Sequence, residues 1–300
     1  MNHNYIMKAK IILIGFIGFM LHSASAQENT ANIQIKATPL AALPRTLNET
    51  SGAISYLDRL WTHNDSGGEP EISAINPFNG NETARIRITN ATNTDWEDIT
   101  QDSMSIYISD TGNNLGNRKE FQVYKINKAD IDVNGGFQLL KSKVITFCYP
   151  NQPNLLIPYS HNFDCEAIAS INGKLFLFTK NWASRSSHIY TIDQEKNVAI
   201  LEDSIQSNGL ITGADYCEDT DRLVLCGYNI NLLVFKPFII DIANFTKPTR
   251  TQHLYELPLK EHQVEGVCIH NNQIFITNEE TTNIDQQLFP SLIFELELIP

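Results

Sequence analysis

Five times along this chain the same phrase returns: a polar residue, a small or apolar triplet, a short polar turn, then a strongly β-forming run. The copies begin at Ser51, Glu97, Glu166, Thr212 and Glu265, so their leading residues stand 46, 69, 46 and 53 positions apart. Each copy reads as a hairpin, and Asn172-Gly173 supplies a two-residue turn signal in the third. One hairpin cannot bury its apolar face alone. Units recurring at about 50 residues therefore bury it against one another, as repeat architectures do.

Two further alternating runs follow each of the first four hairpins: 71–76 and 84–89, 121–127 and 143–149, 188–193 and 198–203, 238–242 and 252–257. Only 292–298 follows the fifth, and residues 32–37 near the start of the mature chain are expected to supply its missing outer strand. Such a clasp would close a ring and hide two sheet edges. The expected fold is all-β: a five-bladed β-propeller of four-stranded antiparallel blades, closed by the N-terminal strand. Six blades is the alternative, because the 69-residue interval has room for a short extra one. A two-sheet sandwich would leave the fivefold register of the leading residue unexplained.

Residues 1–26 read as a signal peptide, leaving 27–300 as one propeller domain. Lys8 and Lys10 form a basic start, an apolar stretch from Ile11 to Leu21 follows, and Ala24-Ser25-Ala26 offers a small-x-small cleavage site. That stretch is too short for a membrane span, which takes about 20 residues. Gln27 rather than Cys follows the cut, so no lipid anchor is expected, and the mature protein is expected to be periplasmic or secreted. The formal net charge of −12 becomes −14 once the two lysines leave. So acidic a protein repels phosphate backbones, which argues against nucleic-acid binding; clustered carboxylates instead suit calcium. The five cysteines are odd in number and lack C-x-x-C spacing, so neither a disulfide framework nor a zinc site is expected.

In a propeller the first strand of each blade lines the central channel, and the second strand returns to the same face. Ser51, Glu97, Glu166, Thr212 and Glu265 are thus expected in one ring at the channel mouth, as ligands of a calcium ion. Around them fall the second-strand ends and their loops: His63, Asn64, Asp65, Asp110, Asn113, Lys180, Asn181, Asn278 and Glu279 are the candidate ligand-binding residues. Three converging carboxylates repel one another unless a cation, basic groups or protons compensate them.

Four phrases carry a resemblance: Leu60-Trp-Thr-His-Asn-Asp-Ser-Gly-Gly, Asp95-Trp-Glu-Asp, Asp110-Thr-Gly-Asn-Asn-Leu-Gly-Asn-Arg and Val264-Glu-Gly-Val. With these the mature chain resembles exported bacterial propellers of the SdiA-regulated group, which implies five blades and a central calcium. More distantly it is similar to the calcium-activated apyrases. Their calcium ligands run hydroxyl, acidic, acidic, hydroxyl, acidic along successive inner strands, the order of Ser51, Glu97, Glu166, Thr212 and Glu265. Thr212 stands where that family has a serine, and the family's phosphate-binding basic residues have no clear counterpart.

No G-x-S-x-G elbow, phosphate-binding glycine loop or H-E-x-x-H motif occurs. Arg118, Lys119, Lys180 and Arg185 could receive an anion, although pairing with local carboxylates is the simpler expectation. Glycosidases also exist among five-bladed propellers, yet equivalent positions on successive blades suit a metal ring better than an acid and base pair. The expected function is therefore an exported, monomeric, calcium-binding propeller that takes a small molecule or surface partner at its mouth. A calcium-dependent hydrolase of the nucleotidase or phosphoesterase kind is the alternative.

Overall fold

The computed structural model describes residues 34–299 apart from 133, 232, 233 and 284; the expected leader and its cleavage site near Ala26 lie outside the described residues. Strand β1 (Gln34–Ala42) opens the described chain. Blade 1 follows as β2 (Thr50–Tyr56), β3 (Arg59–Asn64), β4 (Glu71–Ile75) and β5 (Glu82–Ile88). Blade 2 consists of β6 (Trp96–Gln101), β7 (Ser105–Asp110), β8 (Phe121–Asn127) and, after an excursion through β9 (Gly136–Leu140), β10 (Lys143–Phe147). Blade 3 holds β11 (Cys165–Ile171), β12 (Lys174–Thr179), β13 (Ser187–Asp193) and β14 (Val198–Ile205). Blade 4 holds β15 (Leu210–Cys217), β16 (Arg222–Asn231), β17 (Val234–Ala243) and β18 (Thr251–Glu256). Blade 5 begins with β19 (Val264–His270) and β20 (Gln273–Asn278), passes a small ribbon of β21 (Thr281–Thr282) and β22 (Leu288–Phe289), and continues with β23 (Leu292–Ile299).

The expected clasp is present. β1 pairs antiparallel with β23 from Gln34↔Ile299 to Ala42↔Leu292, giving blade 5 the order β1-β23-β20-β19. Inner strands β2, β6, β11, β15 and β19 contact one another in cyclic order, with β19 back against β2. Ring closure therefore rests on blade 5, built from both ends of the described chain.

The long interval hides no sixth blade. Its extra residues form β9, which leaves blade 2 and lies parallel to β5 on the outer edge of blade 1 (Ala84↔Gly136 to Ile88↔Leu140), and the loop 148–164 that leads to blade 3. Five apolar clusters fill the five seams between neighbouring blades. Trp61, Ile86, Trp96 and Ile108 pack blade 1 on blade 2; Phe121, Phe147, Ile168 and Leu177 join blades 2 and 3. Phe178, Ile211 and Phe238 lie between blades 3 and 4, Ile239, Val267 and Phe294 between 4 and 5, and Leu60, Cys268 and Phe275 at the closing seam. All five cysteines are free, with Cys165, Cys226 and Cys268 buried among the apolar side chains. Among the described residues no helix is long and apolar enough to cross a membrane.

Candidate functional site: an acidic mouth at the start of the inner strands

Each inner strand is irregular near its start. The ladder skips between Trp96 and Asp98, Cys165 and Ala167, Ile211 and Gly213, and Val264 and Gly266. In four blades the extra residue is thus the ring residue itself, Glu97, Glu166, Thr212 or Glu265. A bulge leaves one residue out of the ladder and re-aims its side chain, so the repeated phrase encodes a repeated bulge. In blade 1 the skip falls later, between Ser51 and Ile54, and Gly52 takes it with a φ of +63°. A side chain at Gly52 would collide with Asp98 Oδ1, 2.6 Å from its Cβ position.

The ring residues divide by chemistry. Ser51 donates its hydroxyl hydrogen to the Glu97 carbonyl at 2.5 Å and Thr212 donates to the Val264 carbonyl at 2.7 Å, so both hydroxyls tie their blade to the next one. The glutamates face the mouth. Asp95 and Asp164 join them from two residues upstream and Asp65 from just after β3: Asp65, Asp95 and Glu97 offer oxygens within 4.8 Å of one another, as do Glu97, Asp164 and Glu166. Glu265 and Glu279 share the Gln263 amide at 2.7 and 2.6 Å. Gly112 leaves room for this crowd, since its Cβ would lie 1.9 Å from Glu97 Oε1 and 2.4 Å from Asp95 Oδ2.

One ammonium stands among these acids. Lys180 is buried and donates to Glu166 Oε2 at 2.8 Å, beneath the rings of Trp182 and Tyr228. Burial alone would lower its pKa, but Glu166, Tyr228 and Glu265 outweigh burial and hold it well above the usual lysine value. The carboxyls shift the other way. Burial, reinforced by Glu166, Asp95 and Glu265, raises Asp65 to about 8, and burial with Glu166 raises Asp95 to about 6. Glu265 rises to about 7, chiefly by burial and against the pull of Lys180. Glu97, Asp164 and Glu279 are held well above the carboxylate range, by burial first and then by their acidic neighbours. Protons or a cation must neutralise the cluster, because one lysine does not.

Among the described residues three buried carboxylate oxygens have no hydrogen-bond partner: Asp65 Oδ1, Glu97 Oε1 and Glu166 Oε1. Buried polar atoms are rarely left so. The His63 ring is also fully buried, edge-on to Trp96 at 5.5 Å, with Nδ1 on the Asn64 carbonyl and Nε2 without a partner. Burial lowers its pKa to about 4, so the imidazole is neutral.

The remaining candidate residues build the rim. Asn64 donates to the Thr46 carbonyl, Asn113 to the Phe163 carbonyl and Asn278 to the Pro290 carbonyl, while Asn181 accepts from Thr179. Asp110 is held by Arg118 at 2.7 Å. These five brace loops; Asp65, Lys180 and Glu279 face the cluster. Asp95 and Asp164 were not among the candidates drawn from the sequence. Their signal was the pattern D-x-E, repeated as Asp95-Trp-Glu97 and Asp164-Cys-Glu166 at the same place in two blades.

Below the mouth buried aspartates tie the inner strands together. Asp98 Oδ2 accepts the backbone N–H groups of Ile168 at 2.9 Å and Ala214 at 3.1 Å, so one carboxylate from blade 2 reaches blades 3 and 4. Asp215 repeats the device between blades 4 and 5, accepting from Ile269 at 2.7 Å.

No protein-family model matches the chain, and no functionally curated protein matches it. Solved structures do match. An exo-β-1,3-galactanase from Clostridium thermocellum aligns over 88% of this chain and 65% of its own, with 10% identity and a TM-score of 0.50. An exo-β-1,3-galactanase from Phanerochaete chrysosporium, solved with β-1,3-galactotriose, aligns over 88% and 65%, with 7% identity and a TM-score of 0.51. The chain thus spans about two thirds of each enzyme's length, and at these identities the likeness is one of fold: this chain is a five-bladed β-propeller.

Proposed function

We propose that the acidic mouth binds one hard divalent cation, calcium in the first place, and that the protein is an exported binding propeller whose mouth takes a small molecule or surface partner beside that ion. The observation that carries this is the set of unpartnered buried oxygens on Asp65, Glu97 and Glu166, grouped with Asp95 and Asp164. An all-oxygen donor set fits calcium, which takes six to eight oxygens at about 2.3–2.6 Å. Ligands on opposite sides of such an ion lie about 5 Å apart, a span compatible with oxygens gathered within 4.8 Å. When bound, the ion would supply the positive charge that the cluster lacks and an electrophilic contact for an anionic or hydroxylated ligand. Asp65, Asp95, Glu97, Asp164 and Glu166 would hold it, with Lys180 hydrogen-bonded to Glu166 Oε2 and Asp98 tying blades 2, 3 and 4 together beneath them.

The same packing disfavours inverting glycoside hydrolysis by Glu97 and Glu166. An inverting pair needs carboxyl groups about 6.5–9.5 Å apart to admit water, whereas Glu97 and Glu166 offer oxygens within 4.8 Å. Calorimetric titration of the chelator-treated protein is expected to give one calcium per chain. Glu97→Gln with Glu166→Gln should abolish it, and Gly112→Ala, which pushes a methyl group into the carboxylates, should weaken it at least tenfold. No binding of calcium, magnesium or manganese by the folded wild type would overturn the proposal. Calcium-dependent phosphate release from nucleotides, lost in Glu166→Gln, would replace the binding role with the hydrolase.

A further inference from the structure

Four exposed apolar side chains stand together on two touching loops of the mouth face. One loop, 111–119, leaves the end of β7, and the other, 148–163, leads into the start of β11. Leu155 is 87% exposed, Ile157 70%, Tyr159 56% and Leu115 52%. Single exposed apolar residues are ordinary, but a group of them marks an interaction surface. Leu156 turns inward between Leu155 and Ile157. Gly116 makes way for it, since a Cβ there would lie 2.5 Å from Leu156 Cβ.

Three hydrogen bonds fasten the loops to each other. The Tyr159 N–H donates to the Asn114 carbonyl at 2.9 Å, the Gln152 amide to the Arg118 carbonyl at 2.8 Å, and the Lys119 ammonium to the Pro153 carbonyl. Tyr159 holds a φ of 51°, uncommon for an aromatic residue. Its ring stands perpendicular to that of Trp182, with centroids 5.3 Å apart. Trp182 in turn donates its indole N–H to Asp164 Oδ2 at 2.7 Å, which ties the loops to the start of blade 3.

Charge sets this surface apart from the rest of the chain. The protein carries 34 Asp and Glu against 22 Lys and Arg, yet neither loop contains an acidic side chain. Lys119 lies exposed on the first loop, and Arg185 lies exposed three residues after Trp182. Of the bordering acids, Asp110 is held by Arg118 and Asp164 is buried, which leaves Glu120 exposed against two exposed cations.

We propose that these loops dock the protein on an anionic lipid surface. Leu155, Ile157, Tyr159 and Leu115 enter the headgroup boundary, and Lys119 and Arg185 meet the lipid phosphates. Side chains as exposed as Leu155 and Ile157 project from the surface. A bilayer interface receives projecting apolar groups without a matching cavity, which a protein partner would have to supply. Apolar burial and attraction to anionic headgroups are the two contributions that peripheral membrane binding sums. The acidic net charge of the whole chain is felt less, because salt screens exposed charges more than about 8–10 Å away. The docking surface lies on the rim and stands with or without an ion in the mouth.

The test uses residues 27–300, which keep every described residue and omit the apolar stretch 11–21 that would itself bind lipid, with chelator present throughout. Co-sedimentation at low salt is expected with vesicles of mixed phosphatidylglycerol and phosphatidylcholine, and to be on the order of tenfold weaker with phosphatidylcholine alone. Leu155→Asn with Ile157→Asn should weaken binding to the mixed vesicles at least about tenfold, since two apolar side chains no longer leave water. Lys119→Gln with Arg185→Gln should remove the preference for the anionic lipid. Both pairs are exposed, so the melting temperature of each variant should match wild type. Trp61 and Trp96 are fully buried, so Trp182 beside Tyr159 reports contact: lipids brominated on the acyl chain should quench its emission. Wild type that stays in the supernatant with anionic vesicles, or binds them equally well after Leu155→Asn with Ile157→Asn, would overturn the proposal and leave the loops to a protein partner. Neither outcome bears on calcium binding, which is measured without lipid.

Discussion

A buried carboxylate that accepts backbone N–H groups from another blade can stabilise a ring only if its own desolvation is repaid. Asp215 tests the balance cleanly. Its oxygens take the amides of Tyr216 at 2.9 Å and Ile269 at 2.7 Å, yet burial outweighs them and raises the group from 3.8 to about 7. A carboxyl that holds its proton more tightly when folded adds stability below its unfolded pKa and loses it as pH climbs through the folded value. The Asp215 contribution should therefore fall between about pH 4 and pH 7. Asp215→Asn cannot ionise, so urea unfolding should find it gaining on the wild type by a few kcal/mol between about pH 5 and pH 8. A variant that loses ground at the higher pH would mean that the two amides stabilise the ionised form. At this scale the sequence was legible only where a residue repeats. Glu97, Glu166 and Glu265 were found by register, and Asp95 and Asp164 lay within the same register. Lys180 was legible as a mouth residue but not as the partner of Glu166, because a contact between the start of one strand and the end of the next depends on the bulge between them.

At the level of strands, alternation was enough to locate the hairpins, and every expected run was found with its bounds moved by a few residues. β9 escaped. Its Phe137 and Leu139 point outward at 59% and 61% exposure, and its partner β5 lies in the preceding blade, so no periodicity within residues 128–142 could have assigned it. The clasp was legible because blade 5 was one strand short. β1 covers an edge of β23 that would otherwise present open backbone donors and acceptors, and it adds Ile35 and Ala37 to the apolar seam of blades 4 and 5. A chain beginning at Leu43 should melt on the order of 10 °C lower, since each kcal/mol moves the midpoint of a domain this size by about 2–4 °C. It should also scatter light on heating, and a peptide of residues 34–42 added in trans should restore both, as strand addition does in other sheets. No change in the midpoint on truncation would mean that the five seams hold the ring without the clasp.

For the molecule as a whole, ring closure brings together residues that no local pattern relates. Ser55 and His270 are 215 positions apart in sequence and share a hydrogen bond only because blade 5 closes on blade 1. The same closure makes the mouth a common ligand of successive blades: Asp65 comes from blade 1, Asp95 and Glu97 from blade 2, and Asp164 and Glu166 from blade 3. An ion held there would cross-link three blades and relieve repulsion that unfolding otherwise relieves. Stabilisation by a ligand at 100 times its dissociation constant is about 2.7 kcal/mol. For a domain of this size that corresponds to a rise in Tm of about 5–10 °C. Melting of the chelator-treated protein with and without saturating calcium should show this shift, and excess chelator should reverse it. Glu97→Gln with Glu166→Gln should gain nothing in Tm when calcium is added. Coincident wild-type curves with and without calcium would remove the cation from the account and leave protons as the charge that balances the mouth.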